Sequence, residues 1–290
     1  MKQFAVVSGK GGTGKTTVTA ALACLVENTV IADCDVDAAD MHLILSPRIK
    51  RREVFAGGKA ARIDKEKCDS CGVCRDLCRF GAISEGCIVD PIACEGCGVC
   101  RWNCPREAVA LEEDRSGEWY VSDTRCGPLV HARLGVAQEN SGKLVTIIRT
   151  EANKLAEEGG RDYVLIDGPP GIACPVMASL TGADAALVVT EPTLSGLHDF
   201  DRIAELLGHF KIRGFVCVNK CDLNPGQASR IKSLCARKGL VYAGEMPFDK
   251  AVTRAMIEGK SVLEHSDGPV GREIRAMWGR IEDHLKPGRG

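Results

Sequence analysis

Two sets of residues in this 290-residue chain have types and spacings that suit binding chemistry. The first is the run 9–16, whose pattern Gly-x4-Gly-Lys-Thr follows an apolar stretch and precedes a helix-like one. The backbone N–H groups of such a loop close on phosphate oxygens, and the following helix N-terminus adds attraction for anions. The run therefore predicts a nucleoside triphosphate site in which Lys15 contacts the β- and γ-phosphates and the Thr16 hydroxyl binds Mg²⁺. The residues predicted to surround the phosphates are Gly9, Lys10, Gly11, Gly12, Thr13, Gly14, Lys15, Thr16 and Thr17.

The second set consists of eight cysteines in two runs of the same spacing, Cys-x2-Cys-x2-Cys-x3-Cys, offset by 26 residues. Three cysteines at consecutive x2 spacing, duplicated, are typical of two cubane iron–sulfur clusters, and the fourth cysteine of each run binds the other cluster. The two predicted [4Fe–4S] ligand sets are Cys68, Cys71, Cys74 and Cys104, and Cys94, Cys97, Cys100 and Cys78. A zinc site, which uses pairs of Cys-x2-Cys separated by a long gap, is the alternative that this spacing disfavours.

Composition and charge narrow the class of protein. A hydrophobic fraction of 44% supports a folded core, and a net charge of −1 gives no field that favours nucleic acid or an anionic membrane. The sequence shows neither a signal peptide nor an apolar stretch approaching the roughly 18 residues that span a bilayer. We therefore expect a soluble, cytoplasmic protein that binds neither nucleic acid nor membranes, and whose unusually many cysteines (16) reflect metal binding by thiolates rather than disulfides.

The predicted elements around these sets indicate an α/β fold interrupted by an insert. A strand, a glycine-rich turn, a helix and a second strand open the chain, and further short apolar runs look like buried parallel strands. The predicted strands are 4–7, 30–32, 118–121, 163–166, 185–189 and 214–218, and the predicted helices are 17–25, 143–158, 197–210 and 227–238. We predict a P-loop NTPase fold in two parts, 1–59 and 113–290, with a mostly parallel sheet flanked by helices. A small α+β ferredoxin domain of the bacterial type is predicted as an insert at 60–112.

The phosphate loop carries an extra lysine, Lys10, and in this it resembles the deviant Walker A loop of the MinD/ParA/Mrp superfamily, within the SIMIBI class. The run 32–37 resembles the first switch of that family, and 164–171 resembles its Walker B strand and second switch. The resemblance implies an ATP-dependent homodimer in which Lys10 reaches the partner's nucleotide. It also implies that Asp35 orients the attacking water and that Asp33 and Asp167 hold Mg²⁺ through water. The predicted catalytic residues are Lys10, Lys15 and Asp35.

The identity of the base rests on two short motifs. The run 219–222 spells Asn-Lys-x-Asp, which reads guanine in GTPases. ATPases that resemble MinD also keep an asparagine here and use a proline-containing loop further on, which the run 245–249 resembles. We expect ATP rather than GTP, with Asn219, Asp222 and Pro247 near the nucleotide.

The other cysteines and the C-terminal helix have mainly structural interpretations. Cysteines in apolar helices or strands are expected to be small core residues, and these are Cys24, Cys34, Cys217 and Cys235. Cys126 and Cys174 are expected to be incidental thiols, with the alternative that they hold a further cluster between two subunits, as in the nitrogenase iron protein. An apolar face of the C-terminal helix is expected to pack on the parent domain, because the helix lacks a strong basic face for membranes; it consists of Ile274, Met277, Trp278, Ile281 and Leu285.

Three functions are compatible with this combination. In the first, an ATPase couples its nucleotide state to electron transfer from two [4Fe–4S] clusters to a partner metalloprotein. In the second, the ATPase is a carrier or scaffold for the assembly of iron–sulfur or other metal centres. In the third, it is a MinD-like positioning ATPase whose clusters are structural. We favour the first, because two adjacent low-potential clusters make a path for electrons.

Overall fold

The chain divides into two units, and the computed structural model describes residues 1–135 and 141–286. Positions 136–140 and 287–290 of the predicted segment 113–290 therefore lie outside the described residues. The first unit comprises Met1–Arg52, Tyr120–Ala132 and Gly142–Gly290, and the second comprises Glu53–Trp119 and Arg133–Ser141.

Nine strands form one sheet in the order β3-β4-β5-β2-β6-β1-β7-β8-β9. The strands are β1 (Lys2–Ser8), β2 (Thr29–Asp33), β3 (Arg48–Ile63), β4 (Val109–Thr124), β5 (Gly127–Leu134), β6 (Tyr163–Pro170), β7 (Ala185–Thr190), β8 (Arg213–Asn219) and β9 (Val241–Met246). The helices are α1 (Lys15–Leu25), α2 (Met41–Leu45), α3 (Val73–Asp76), α4 (Val99–Trp102), α5 (Ser141–Glu158), α6 (Cys174–Leu180), α7 (Leu194–Phe210), α8 (Pro225–Arg237), α9 (Lys250–Ile257), α10 (Val262–His265) and α11 (Pro269–Leu285).

The strands from β5 to β9 in this order are parallel wherever their pairing is described. The apolar runs at 4–7, 30–32, 185–189 and 214–218 are buried in β1, β2, β7 and β8, because helices cover both faces of a parallel sheet. The α/β fold with a mostly parallel sheet flanked by helices is thus confirmed. No helix in the described part of the chain is long and apolar enough to cross a membrane.

The C-terminal helix α11 packs against the sheet of the first unit, as the apolar face predicts. Ile274, Met277, Trp278 and Ile281 are buried, and Leu285 packs against the same core. The Trp278 ring meets Phe4 of β1 edge to face, with ring centroids 5.5 Å apart. The helix therefore belongs to the core of the first unit.

Three strands, β3, β5 and β9, were not predicted from the sequence, and β4 is far longer than predicted. Strand β3 extends over 16 residues but is mostly exposed and highly charged, so it lacks the apolar run that marked the buried strands. Strand β5 is short and contains His131 and Arg133. Strand β4 includes the predicted strand 118–121 but begins at Val109. Along the chain, β3 leads from the first unit into the second and β4 leads back.

The second unit repeats its own backbone at the 26-residue offset of the cysteine runs. Left-handed φ angles occur at Ser70 (59°) and again at Gly96 (61°). They recur at Gly72 (79°) and Gly98 (80°), which precede α3 and α4 respectively. The duplication seen in the sequence is therefore also a duplication of local conformation.

One cysteine prediction is wrong. Cys24, expected to be a core residue, forms a disulfide with Cys126. Cys24 lies at the end of α1 and Cys126 in the turn between β4 and β5, and both are only partly buried. The apolar sequence of α1 predicted burial along the whole helix, but its last turn lies beside the turn between β4 and β5 and is only partly buried. The pairing also contradicts the alternative in which Cys126 holds a bridging cluster. Cys34, Cys217 and Cys235 are buried as predicted.

Candidate functional site

The phosphate loop connects β1 to α1 in the first unit. Gly12 and Gly14 have φ angles of 77° and 89°, a region that residues with a Cβ seldom occupy. A Cβ on Gly14 would also lie 2.4 Å from the Asn219 side-chain nitrogen, so this position requires glycine. That nitrogen donates a hydrogen bond to the Thr13 carbonyl oxygen at 2.8 Å. Asn219, predicted to lie near the nucleotide, therefore braces the loop itself.

Parallel strand register brings the predicted magnesium carboxylates together. Strand β2 pairs with β6 so that Asp33 lies opposite Asp167, and ligand sites of α/β sheets occur at such carboxyl ends. Both side chains are fully buried. The Lys15 ammonium nitrogen lies 3.1 Å from Asp167 Oδ2 and 3.2 Å from Asp35 Oδ2. One cation thus faces a group of three carboxylates.

Two threonine hydroxyls orient the Asp167 carboxylate. Thr16 Oγ1 donates to Asp167 Oδ2 at 2.8 Å, and Thr19 Oγ1 donates to Asp167 Oδ1 at 2.7 Å. Thr19 was not predicted as a site residue, although it follows Lys15 by one helical turn and therefore lies on the same face of α1. Asp33 Oδ2 and Thr13 Oγ1 are buried and have no hydrogen-bond partner among the described residues. Buried polar atoms of this kind are costly unless a ligand uses them, and an Mg²⁺–nucleotide complex has the chemistry to do so.

Burial and mutual repulsion raise the pKa values of two carboxyls. Desolvation followed by the nearby Asp167 charge raises the pKa of Asp33 well above its ordinary value, although Lys15 opposes this. Desolvation also raises the pKa of Asp35, with Lys15 again acting in the opposite direction. Burial alone would lower the pKa of Lys15, but Asp167 and Asp35 outweigh it and raise that pKa. The site is therefore short of positive charge, which favours a divalent cation.

The extra lysine of the loop is held within its own chain. Lys10 Nζ lies 3.1 Å from Glu191 Oε2 and within hydrogen-bonding distance of the Thr193 and Ser195 hydroxyls. Lys220 Nζ, from the Asn-Lys-x-Asp run, donates to Glu191 Oε1 at 2.5 Å. Burial alone would raise the Glu191 pKa, but hydrogen bonds from the two lysines outweigh it and lower that pKa. Sequence reasoning missed Glu191, a polar residue directly after the buried strand β7.

A cavity of about 410 Å³ adjoins the phosphate loop. Its walls include Gly11 to Val18, Asp35 and Asn219, together with Pro247 and Phe248. Asp222 does not line the cavity; its Oδ1 accepts a hydrogen bond from the Phe248 backbone N–H at 2.7 Å. Of the predicted nucleotide contacts outside the loop, the structure brings Asn219 and Pro247 to one cavity and gives Asp222 a loop-bracing contact.

The second unit contains two cavities lined by cysteines. The first cysteine cavity is lined by Cys68, Cys71, Cys74 and Cys104, together with Cys87. The second cysteine cavity is lined by Cys78, Cys94, Cys97 and Cys100. Each cavity thus combines three cysteines of one run with the last cysteine of the other run.

Backbone amides point at sulfur atoms in these cavities. The Ala61 N–H donates to Cys94 Sγ at 3.4 Å, and the Ala108 N–H donates to Cys104 Sγ at 3.3 Å. Amide donors of this kind stabilise negative charge on thiolate sulfur. Cys71 and Cys97, the second members of the two runs, are exposed.

One further group in the first unit has ligand atoms close together. The sulfur atoms of Cys24 and Cys126 and a carboxylate oxygen of Glu264 lie within 4.8 Å of one another, the one such group of three among the described residues. The two sulfur atoms are bonded to each other, and Arg125 pairs with Glu264. This arrangement is a disulfide beside an ion pair, and we assign it no metal. Cys174 is exposed at the start of α6.

Comparisons with known proteins show the family and the fold of the chain. The model of the CobQ/CobB/MinD/ParA nucleotide binding domain matches residues 4–262. An uncharacterised protein of Methanocaldococcus jannaschii is 32% identical over 287 residues, covering 98% of this chain and 97% of that protein. The cell division ATPase MinD of Pyrococcus furiosus has a similar fold, with a TM-score of 0.60 and 18% identity over 98% of this chain and 99% of that one. MinD of Pyrococcus horikoshii, solved with Mg-ADP, gives 0.59 and 16% over 98% and 97%.

Proposed function

Because this chain belongs to the CobQ/CobB/MinD/ParA family of nucleotide-binding domains, we propose that it binds and hydrolyses Mg-ATP and couples its nucleotide state to electron transfer. The electrons pass from two [4Fe–4S] clusters in the second unit to a partner metalloprotein. The observation that carries this proposal is the sorting of eight cysteines into two cavities, three from one run and one from the other. A nucleotide-binding fold gives no reason for that sorting, whereas a two-cluster ferredoxin domain at about 60–112 does.

The spacing of the sulfur atoms supports cubane clusters over zinc. Four thiolates around one zinc ion, each at about 2.3 Å, stand about 3.8 Å from one another. Among the described residues, no three cysteines of either cavity have all their sulfur atoms within 4.8 Å of one another. In a cubane each cysteine binds a different iron, so the sulfur atoms stand further apart. When bound, the two clusters supply reversible one-electron chemistry.

The carboxylates and hydroxyls of the first unit fit a magnesium ion. Thr16, Asp33 and Asp167 would hold it, and the partnerless Asp33 Oδ2 supports this assignment. The Mg-ADP complex of the Pyrococcus horikoshii relative gives further support. When bound, Mg²⁺ neutralises charge on the phosphate oxygens, which is the largest requirement of phosphoryl transfer.

Lys15 and Asp35, beside the phosphate loop, bind the phosphates and position the attacking water respectively. The Lys15 ammonium exchanges Asp167 and Asp35 for the β- and γ-phosphates when the nucleotide enters. This exchange frees the Asp35 carboxylate, which orients the attacking water. Asp35 is about nine-tenths buried and lines the cavity beside the phosphate loop, so its carboxylate is held where the γ-phosphate would lie.

The proposed homodimer gives Lys10 its role. In the single chain Lys10 is bound to Glu191, so it must exchange one anion for another to reach the partner's nucleotide. ATP supplies a γ-phosphate that competes for this lysine, and we infer that the competition makes dimer formation depend on ATP.

ATP is the proposed nucleotide because Asp222 already accepts a hydrogen bond from the loop that carries Pro247 and Phe248. A guanine-reading aspartate accepts hydrogen bonds from the base, but Asp222 Oδ1 accepts from the Phe248 amide and the residue lies outside the cavity lining. Pro247 and Phe248 instead present an apolar wall, which supports adenine stacking without a guanine-specific carboxylate.

The test begins with the anaerobically purified protein, which should contain about eight iron and eight sulfide per chain. Nucleotide affinity is then measured with the clusters oxidised and again after reduction by dithionite. Linkage predicts that the affinity changes by about 5–150-fold, and that ATP shifts the cluster potentials by the same free energy. Stoichiometric zinc without sulfide would sink the cluster assignment. Equal affinities in both redox states would sink the coupling.

A further inference from the structure

The first cysteine cavity contains a fifth cysteine, Cys87, for which neither run accounts. Cys87 belongs to a tight turn between the two runs, closed by the bridge between Ile83 and Val89. Its side chain is 3% exposed and packs with Cys74, which is 8% exposed, and with Ile83 in one buried group. The thiol is therefore sealed from solvent inside a cavity that four other cysteines line.

The turn holds the backbone of Cys87 in a strained conformation. Its φ angle is 51°, in the left-handed region that a cysteine seldom adopts. Lys65 Nζ donates hydrogen bonds to the carbonyl oxygens of Gly86 and Cys87, and the Cys87 N–H donates to the Ser84 carbonyl. Strained residues persist where the surrounding contacts fix them, so this turn is built to direct the thiol into the cavity.

The internal repeat supplies a comparison within the same molecule. At the offset of 26 residues, Cys74 corresponds to Cys100 and Cys87 corresponds to Glu113. The lining of the second cysteine cavity accordingly contains four cysteines and no fifth thiol among the described residues. The two cavities thus differ by one buried cysteine next to otherwise equivalent ligands.

We propose that Cys87 is a reserve ligand of the first [4Fe–4S] cluster, able to replace Cys74 at its iron; this rests on the proposed function. In the exchange, the Fe–S bond to Cys74 breaks and one to Cys87 forms. The proton of the Cys87 thiol passes to the departing Cys74 sulfur, so no electron is gained or lost. The thiolate is the ligand form, and a buried thiol beside the site makes the replacement intramolecular.

The test compares two equivalent substitutions in the full chain, purified anaerobically. Cys74→Ala should keep about eight iron and eight sulfide, because Cys87 takes the vacant corner. Cys100→Ala, its counterpart in the second cavity, should fall to about half of that content. The double variant Cys74→Ala/Cys87→Ala should fall to about half as well, and Cys87→Ala alone should keep the full content.

Spectra provide a second readout that does not depend on yield. If Cys87 supplies the ligand, Cys74→Ala and Cys74→Ser should give the same electron paramagnetic resonance spectrum for the first cluster after reduction. Different spectra would mean that the serine oxygen is the ligand, and would overturn the proposal. A Cys74→Ala content as low as that of Cys100→Ala, or loss of a cluster in Cys87→Ala alone, would also overturn it. A wild-type protein without iron and sulfide would instead refute the proposed function.

Discussion

The disulfide between Cys24 and Cys126 should contribute several kcal/mol to the stability of the first unit. It closes a loop with a sequence separation of 102 residues. The chain-entropy relation gives about 4.7 kcal/mol for a loop of that length. The loop, however, contains Glu53–Trp119 of the second unit. If that unit stays folded while the first unfolds, the open loop has roughly 34 residues and the contribution falls to about 3.8 kcal/mol.

We therefore expect Cys126→Ser to lose about 4 kcal/mol of unfolding free energy, or a midpoint temperature roughly 10 °C lower. Equilibrium unfolding in guanidinium chloride, under anaerobic conditions, measures the difference. A phosphine reductant should destabilise the wild type by the same amount and leave Cys126→Ser unchanged. Cys174→Ser is the matched control, because Cys174 is a free cysteine of the same unit and should keep both the stability and the response to reductant. If the reductant affects wild type and Cys126→Ser equally, the loop argument is wrong.

Four further outcomes follow from the phosphate site and the core. Lys15→Ala should abolish Mg–nucleotide binding in calorimetry, because the cation that faces Asp35 and Asp167 is lost. Lys10→Ala should still bind nucleotide in the monomer but lose hydrolysis and ATP-dependent dimerisation; full turnover would refute the sandwich dimer. The raised pKa of Asp33 means that the folded state keeps a proton on this carboxyl that the unfolded state has lost. The nucleotide-free protein should therefore lose stability as pH rises from about 4 through that raised pKa. Asp33→Asn should make the unfolding free energy depend less on pH in this range. Trp278→Ala should cost about 3–5 kcal/mol in the same unfolding assay, since the ring is buried against Phe4.

The sequence predicted the parts of the fold that carry a strong apolar signal. The strands at 4–7 and 185–189 are fully buried on both faces, so every residue in them is apolar. Strand β3 has no comparable apolar run, because most of its side chains face solvent and its pairing depends on residues distant in the sequence. The disulfide likewise depends on a meeting of Cys24 with a turn 102 positions away, which no local pattern encodes.

The candidate site shows the same division between local and distant signals. The phosphate loop could be recognised because the spacing of its residues within a short run defines the motif. The cysteine runs could be recognised as a repeat for the same reason, and their binding of clusters is a proposal. Glu191 was not readable as a site residue. Its importance comes from Lys10, 181 positions before it, and Lys220, 29 positions after it, both of which the fold brings into contact with it. Cys87 was not predicted as a site residue, because it lies outside the two cysteine runs and its proximity to Cys74 is visible only in the fold.

The covalent path between the two chemistries gives the proposed coupling a physical form. Asp35 follows β2, and β3 then carries the chain from the first unit into the second. The return path is β4, and its turn is bonded through Cys126 to Cys24 at the end of α1, the helix that begins with Lys15. Under the proposed coupling, a γ-phosphate that displaces Asp35 and Lys15 would act on these two of the four chain crossings between the units. Because an effect of ATP on the clusters requires an equal effect of the clusters on ATP, these two connections are where substitutions should weaken both effects together.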